Sequence, residues 1–348
     1  MCVCLSDLLF SIVIAVRNEK RFIKRCLQSA CSQDVGKVGV DYEVVVVDGM
    51  SSDGTVELLA ELQDELCFSV VSNELKNAAA GRNRGIEQSS GRFVAFVDGD
   101  AIPAKDWLSK IIAVFDRHGK EVAGVGGPDL LPPDSSEKEE LIGLVMSSPL
   151  ARGGRLNPST QHSLSSQEKS VGHIPTCNLC LRREVLEQMQ GFDESFVKGQ
   201  DLELNHRIKQ AGFKLLYSPD VCVVHYRKDS FRSFARQIFK WAKAKVAIIK
   251  KHGMQGFVSH VYLWPVYALL GLVGGVGLFW LLGLVKVFGW LFLLGAFSYV
   301  GIVFAEAVRL ARFHNKSKLV WYAVGLIPVV HGEFFLGVWS ALLRRKMW

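Results

Sequence analysis

Two carboxylates one residue apart, Asp98 and Asp100, follow five consecutive apolar residues, Phe93-Val94-Ala95-Phe96-Val97. Such a run suits a strand buried on both faces. The aspartates would then emerge at its carboxyl end, where open α/β sheets bind their ligands. Side chains two apart on an extended chain point the same way, so both carboxylates can reach one hard divalent cation. A cation held there could in turn hold a diphosphate. The same Asp-Gly-Asp triplet is also ordinary turn chemistry, and its meaning depends on its neighbours.

The elements around it alternate. Residues 11–16 predict a first strand, followed by the polar loop Arg17-Asn18-Glu19 and a helical stretch over about 20–32. A Val-rich strand over 42–47 ends at Asp48-Gly49, and Ser51-Ser52-Asp53-Gly54-Thr55 supplies turn and N-cap residues for a helix to about residue 65. A short strand over 68–72 and a helix over 78–88, carrying Arg82, Asn83 and Arg84, lead into the strand before Asp98. This is the pattern of a doubly wound α/β domain. A helix over 107–115 and a strand over 122–125 follow. Residues 128–170, rich in Pro, Ser, Gly and charge, read as a long loop of the functional or mobile kind. Helices over about 183–190 and 202–211 and closing strands over 215–217 and 221–225 complete the domain, with Asp201 just before the second of those helices and His225 at its end.

The remaining third of the chain is of another kind. Between residues 257 and 305 the only formal charge is Lys286, which is room for two spans of about 20 residues. A third apolar segment, 319–343, is interrupted only by His331 and Glu333; ionisable groups in lipid face partners or polar cavities. Boundaries near 258–283, 286–308 and 319–343 are expected. Lys240, Lys243, Lys245, Lys250 and Lys251 precede the first span, and Arg309, Arg312, Lys316 and Lys318 lie between the second and third. By the positive-inside rule both regions, and with them the N-terminal domain, face the cytoplasm. Arg344-Arg345-Lys346 breaks this pattern unless one segment is re-entrant or interfacial. Residues 229–256, basic with Phe231, Phe234, Phe239 and Trp241 interspersed, read as an amphipathic helix in the membrane interface, or else as an ordinary surface helix. No nucleic-acid-binding motif accompanies the net charge of +7. Nothing at residues 1–16 resembles a cleaved signal. Of the eight cysteines, Cys177 and Cys180 have a spacing seen in zinc sites but no second pair at finger spacing; free, buried thiols are the simpler expectation.

Taken in order, Arg17-Asn18-Glu19, Val46-Val47-Asp48-Gly49-Met50-Ser51-Ser52-Asp53-Gly54-Thr55, Ala80-Gly81-Arg82-Asn83-Arg84-Gly85, Asp98-Gly99-Asp100, Gly191-Phe192-Asp193-Glu194 and Gln200-Asp201-Leu202-Glu203-Leu204 resemble a family 2 glycosyltransferase over residues 10–243. Within that family the chain is similar to the membrane-anchored enzymes of surface-glycan assembly, the succinoglycan type and archaeal glycan transferases. The resemblance implies an α/β fold of GT-A (Rossmann-like) type over residues 1–228, followed by C-terminal transmembrane helices over 257–348. It also implies a nucleotide-diphosphate sugar donor, a divalent cation (Mn2+ or Mg2+), and inversion at the anomeric carbon.

The resemblance distributes roles. Ala15, Arg17, Glu19, Asp48, Arg82 and Asp98 would contact the nucleotide-sugar; Asp98, Asp100 and His225 would hold the metal; and Asp201 would be the catalytic base. Asp98 would lean towards the ribose or sugar, with Asp100 the firmer metal ligand. Helix capping by Asp48 or Asp201, a solvated face for Arg82 and a buried, hydrogen-bonded His225 are the plainer alternatives. The Glu that precedes the base in the family is Gln200 here, which removes a negative charge. Gln237 and Trp241 match an acceptor motif of processive synthases, with Lys240 where that motif has Arg, a poor replacement for bidentate contacts. The expected reaction is addition of a sugar to a lipid-linked glycan at the cell membrane, in surface polysaccharide or glycoprotein glycan assembly. A polyprenyl or dolichyl phosphate acceptor would supply an anion that needs no base. A catalytically silent membrane scaffold is the alternative of another class, and retention of both carboxylates and Asp201 argues against it.

Overall fold

Strand β1 (Phe10–Val16) lies between β2 (Tyr42–Asp48) and β4 (Phe93–Asp98), parallel to both, and β3 (Ser69–Ser72) extends the sheet beyond β2. Strands β1, β2 and β4 are β-branched and aromatic runs buried on both faces, which is why they read as continuous apolar stretches rather than alternating ones. Helices α1 (Ile23–Ala30), α2 (Thr55–Leu62) and α3 (Ala78–Glu87) make the crossovers. The computed structural model describes residues 8–151, 166–226, 230–253 and 263–343. Cys2, Cys4 and the Arg344-Arg345-Lys346 cluster lie outside these.

Beyond β4 the sheet turns mixed. After β5 (Ala101–Pro103) and α4 (Trp107–His118) come β6 (Val122–Gly126) and the two-residue β7 (Asp129–Leu130). Helix α5 (Glu137–Met146), β8 (Lys169–Ser170), β9 (Leu179–Arg182), α6 (Arg183–Gln188), α7 (Gln200–Gln210), β10 (Lys214–Tyr217) and β11 (Val223–His225) follow. The sheet order is β3-β2-β1-β4-β9-β6-β10-β8, with β9 antiparallel to both β4 and β6. A small second sheet, β5-β11-β7, sits beside it. The core packs Phe10, Ile12, Ile14, Phe93, Trp107 and Phe115 on one face and Val94, Phe96, Leu181, Leu204 and Tyr217 on the other.

The chain divides into two compact units, one of residues 1–135 and 157–227 and one of 136–156 and 228–348. The second gathers α5, α8 (Phe231–His252), α9 (Trp264–Leu281), α10 (Val285–Phe313) and α11 (Leu319–Leu343). The last three are long and apolar enough to cross a membrane. Helix α5 corrects the expectation of an unbroken loop over 128–170: Ser136 and Glu139 form a reciprocal capping box, and the following apolar turn is buried against α11 and its neighbours. Along α8, Phe234, Ile238 and Ala242 are buried at a four-residue spacing, and the Phe239 carbonyl approaches Gly337 of α11 where a side chain would clash. Several polar groups inside this unit are paired: Glu306 accepts from Ser148 (2.6 Å) and Arg309, and His331 lies 2.9 Å from both the Tyr299 hydroxyl and the Leu150 carbonyl. All cysteines among the described residues are free thiols.

Candidate active site

Register places the acidic residues at one edge of the sheet. Ala15 stands opposite both Val47 and Asp98, and Val16 opposite Asp48, so Asp48 and Asp98 end strands that flank β1. This is where the strand order reverses, and it is the switch point at which parallel sheets bind ligands. Gly49 and Gly99 lie against Val16, Arg17 and Glu19, and a side chain at Gly99 would meet Val16 at 2.8 Å. The loops after β1 and β2 are clipped together. Asn18 donates its N–H to Ser51 Oγ (2.8 Å) and accepts at Oδ1 from Ser52 N–H (2.8 Å). Both Asn18 and Met50 adopt positive φ, 60° and 59°; for Met50 this left-handed backbone costs of order 1–3 kcal/mol and is typical of functional loops. Arg17 is exposed at the rim and Glu19 half-buried.

Asp48 is buried with one oxygen committed and one not. Oδ2 accepts from Ser51 N–H at 3.0 Å, a contact within the loop rather than a helix cap, since α2 begins at Thr55 with Gly54 as its N-cap, while Oδ1 has no hydrogen-bond partner. A buried carboxylate oxygen left unpaired is costly, and a ligand hydroxyl or N–H would relieve that cost. Arg82, projecting from α3, is also buried. It donates to Asp98 Oδ1 at 2.9 Å and to Gln200 Oε1 at 3.1 Å, and its guanidinium lies over the Phe192 ring. Arg82 is thus bound to protein groups rather than spread on a solvated helix face.

Asp100 is placed by the second sheet. Its Oδ1 lies 3.2 Å from His225 Nε2, and the Tyr226 N–H holds its carbonyl at 2.9 Å. His225 reaches it because β11 pairs with β5 and sets His225 opposite Ala101. Ligand atoms of Asp98, Asp100 and His225 all lie within 4.8 Å of one another, as do those of Asp129, Cys177 and His225. Two carboxylates and an imidazole form a donor set suited to a hard or borderline divalent cation. Asp129 Oδ2 stands 3.7 Å from His225 Nδ1, the arrangement that orients a metal-binding imidazole. Burial disfavours the charged ring, but Cys177, Asp100 and Asp129 outweigh it and hold His225 well above the ordinary imidazole range. Positive charge is therefore favoured at this point. Burial raises the Cys177 thiol to about 11, so it is protonated at neutral pH and a weaker ligand than the carboxylates.

Asp201 lies in the first turn of α7, next in sequence to the Gln200 that holds Arg82. Gln200 donates to the Phe196 and Val197 carbonyls at 3.0 and 3.2 Å, an environment made for an amide. Asp201 Oδ1 accepts from Leu202 N–H at 2.8 Å, and Oδ2 lies 3.6 Å from His173 Nε2. Gln237 and Trp241 are exposed on α8, in the second unit. Within the first unit, Arg82 joins Asp98 to Gln200, next in sequence to Asp201, and Asp98 converges with Asp100 and His225, while Asp48 stands on the other side of β1 with no side-chain hydrogen bond to this set. Asp129 and His173 were not among the sequence candidates, and Cys177 had been considered only for its spacing to Cys180 and set aside as a free, buried thiol. Asp129 carried a signal: like Asp48 and Asp98 it follows an apolar strand, after Gly126-Gly127-Pro128.

Sequence comparison bears on the family of the chain. The Glycosyl transferase family 2 model matches residues 11–189, and that of Glycosyl transferase family 21 matches 167–329. A protein of Methanococcus voltae, dolichyl N-acetyl-alpha-D-glucosaminyl phosphate 3-beta-D-2,3-diacetamido-2,3-dideoxy-beta-D-glucuronosyltransferase, is 29% identical over 272 residues, covering 76% of this chain and 80% of its own length. Glycosyltransferase AglE of Haloferax volcanii is 29% identical over 241 residues, covering 68% and 73%. Among solved structures, the mannosyltransferase PcManGT from Pyrobaculum calidifontis, in complex with GDP-Man and Mn2+, has a similar fold: the TM-score is 0.58 at 18% identity, over 97% of this chain and 88% of that one.

Proposed function

Because the chain belongs to glycosyl transferase family 2, and is by that membership a glycosyltransferase of glycan biosynthesis, we propose that it transfers one sugar, with inversion, from a nucleotide-diphosphate sugar to a lipid-linked glycan acceptor. The convergence of Asp98, Asp100 and His225 within 4.8 Å, with Asp201 joined to Asp98 through Gln200 and Arg82, is the observation that carries this reading.

Asp48 Oδ1 accepts from the nucleoside, and Arg82 keeps the Asp98 carboxylate turned towards the ribose or sugar. Asp98, Asp100 and His225 are the residues that would hold a divalent cation, which supplies Lewis-acid stabilisation of the departing diphosphate. Asp201 takes the proton of the attacking acceptor hydroxyl. As that oxygen bonds to the anomeric carbon, the bond from this carbon to the diphosphate oxygen breaks on the opposite face. Retention of a carboxylate base favours a hydroxyl acceptor over a lipid phosphate, which is already an anion. The Methanococcus relative, whose name places a dolichyl phosphate sugar as its acceptor, supports that choice. The three apolar helices would hold the enzyme in the cell membrane, with the catalytic unit on the cytoplasmic side, where nucleotide sugars are made.

A panel of nucleotide sugars offered to the purified enzyme with membranes, read by the mass of the lipid product, tests this directly. One donor should add one sugar to a lipid-linked glycan, EDTA should stop it, and Mn2+ or Mg2+ should restore it. Donor hydrolysis with no glycosylated lipid, or transfer indifferent to EDTA, would count against it.

A further inference from the structure

Asp201 has a neighbour that the donor half of the site does not employ. Helix α7 carries Asp201 and Asn205 one turn apart, on the same face, and the His173 ring spans them. Asn205 Nδ2 lies 2.9 Å from His173 Nδ1 and 2.7 Å from the Ile174 carbonyl oxygen. A carbonyl can only accept, so the amide must turn its NH2 group to this side, and its second hydrogen points at Nδ1. That nitrogen is then the acceptor, and the ring proton sits on Nε2. Nε2 faces Asp201 Oδ2 at 3.6 Å, with the His173 and Asp201 side chains 25% and 23% exposed, while Asn205 is fully buried.

The order of roles follows. Both ring nitrogens of His173 are committed, so the ring has no lone pair for an acceptor proton and cannot itself be the base. Asp201 instead has Oδ1 held by the Leu202 N–H at 2.8 Å and Oδ2 facing the imidazole Nε2. Each oxygen keeps a further lone pair for the incoming proton. The 3.6 Å separation is longer than a hydrogen bond, and contacts of this kind shorten once substrate is bound.

We propose that His173 is a positioning residue for the transfer reaction: locked by Asn205 in the tautomer with hydrogen on Nε2, it orients the Asp201 carboxylate towards the acceptor hydroxyl. This rests on Asp201 being the base. The proton passes from the acceptor hydroxyl to Asp201 as the new glycosidic bond forms and the diphosphate leaves; His173 changes neither its bonds nor its charge.

Three substitutions separate this from a structural role. His173→Phe removes both ring contacts. His173→Asn keeps a partner for Asn205 but has nothing at the Nε2 position, and His173→Gln keeps an N–H there. Base catalysis contributes about 10²–10⁴-fold in rate, and loss of its alignment should take about ten- to a hundredfold of that from kcat in His173→Phe and His173→Asn. The donor KM and nucleotide binding measured by calorimetry should stay within about threefold of wild type, and His173→Gln should recover most of the rate. If His173→Asn turns over at the wild-type kcat, or His173→Gln is as slow as His173→Asn, the proposal is wrong, whether or not the Phe variant folds. Asp201→Asn run alongside locates the failure. Full transfer by Asp201→Asn removes the base assignment itself, whereas a dead Asp201→Asn beside an active His173→Asn removes only the role of His173.

Discussion

Asp129→Asn should weaken Mn2+ binding by about tenfold without unfolding the catalytic unit. The carboxylate lies 3.7 Å from His225 Nδ1, and the other ring nitrogen is 3.2 Å from Asp100 Oδ1. A carboxylate on the far nitrogen fixes the ring's tautomer and rotation and raises its basicity, and loss of such a partner typically costs 10–100-fold in metal affinity. The long separation here puts the expected loss at the lower end, about 1.4 kcal/mol. Asparagine keeps the size and can still accept from Nδ1–H through its oxygen, so the change isolates the charge. Mn2+ titration followed by electron paramagnetic resonance of the free ion measures this without any substrate. Asp100→Asn, which removes a ligand, should lose considerably more. Equal Mn2+ affinity in Asp129→Asn and wild type, with Asp100→Asn clearly weakened, would show that His225 needs no carboxylate behind it.

Gly85→Ala should cost about 1–3 kcal/mol by overpacking, because the added methyl would sit 2.2 Å from Val13 Cγ1 in β1; a denaturation midpoint unchanged from wild type would mean that α3 can shift freely. Gln200→Glu should destabilise the fold by about 1–3 kcal/mol, since a buried carboxylate would face the Phe196 and Val197 carbonyls where an amide now donates; increased stability in the same assay would refute that account. Glu168 is held below its usual value: partial burial raises it, but His118, Arg117 and Ser218 lower it further. Its contribution to stability is therefore fully present above the unfolded value near 4.5 and is lost as the pH falls through the folded one. Glu168→Gln should accordingly be less stable than wild type at neutral pH and converge with it in acid, whereas a gap independent of pH would exclude this linkage.

The parallel half of the sheet was legible because each of its strands is an unbroken apolar run ending in a polar loop, and Asp48 and Asp98 could be placed at strand ends from that alone. The mixed half of the sheet and the small second sheet were harder. β9 is four residues long and β7 two, too short for a period to show, and β5 is hidden between the Asp-Gly-Asp turn and α4. Helix α5 was concealed by the charge of its first turn, Glu137-Lys138-Glu139-Glu140, although Ser136 and Glu139 spelled out a capping box. His173 had no signal, since its role depends on Asn205 reaching it from another element 32 residues away. Roles set by one strand could be read from the sequence, while roles set by pairing between distant segments could not.

Gln200 also explains how the two halves of the site divide their charge. Arg82 is a cation in direct contact with both, through Asp98 and Gln200. With a glutamate at position 200 its charge would be shared between two carboxylates, and Asp98 would keep part of its own for a metal. With an amide there, Arg82 is committed to Asp98, and the pair is close to neutral. Asp100, the carboxylate of Asp98-Gly99-Asp100 outside that pair, has His225 Nε2 as its neighbour at 3.2 Å, and Asp98 is better suited to accepting hydrogen bonds from a sugar. On the acceptor side, Asp201 carries its charge without a second carboxylate beside it in sequence, and its polar contacts come from the Leu202 N–H and the imidazole of His173. With the roles proposed above, Gln200 would separate the donor and acceptor chemistry electrostatically, while the hydrogen bond from Arg82 to Gln200 ties α3 to α7 between them.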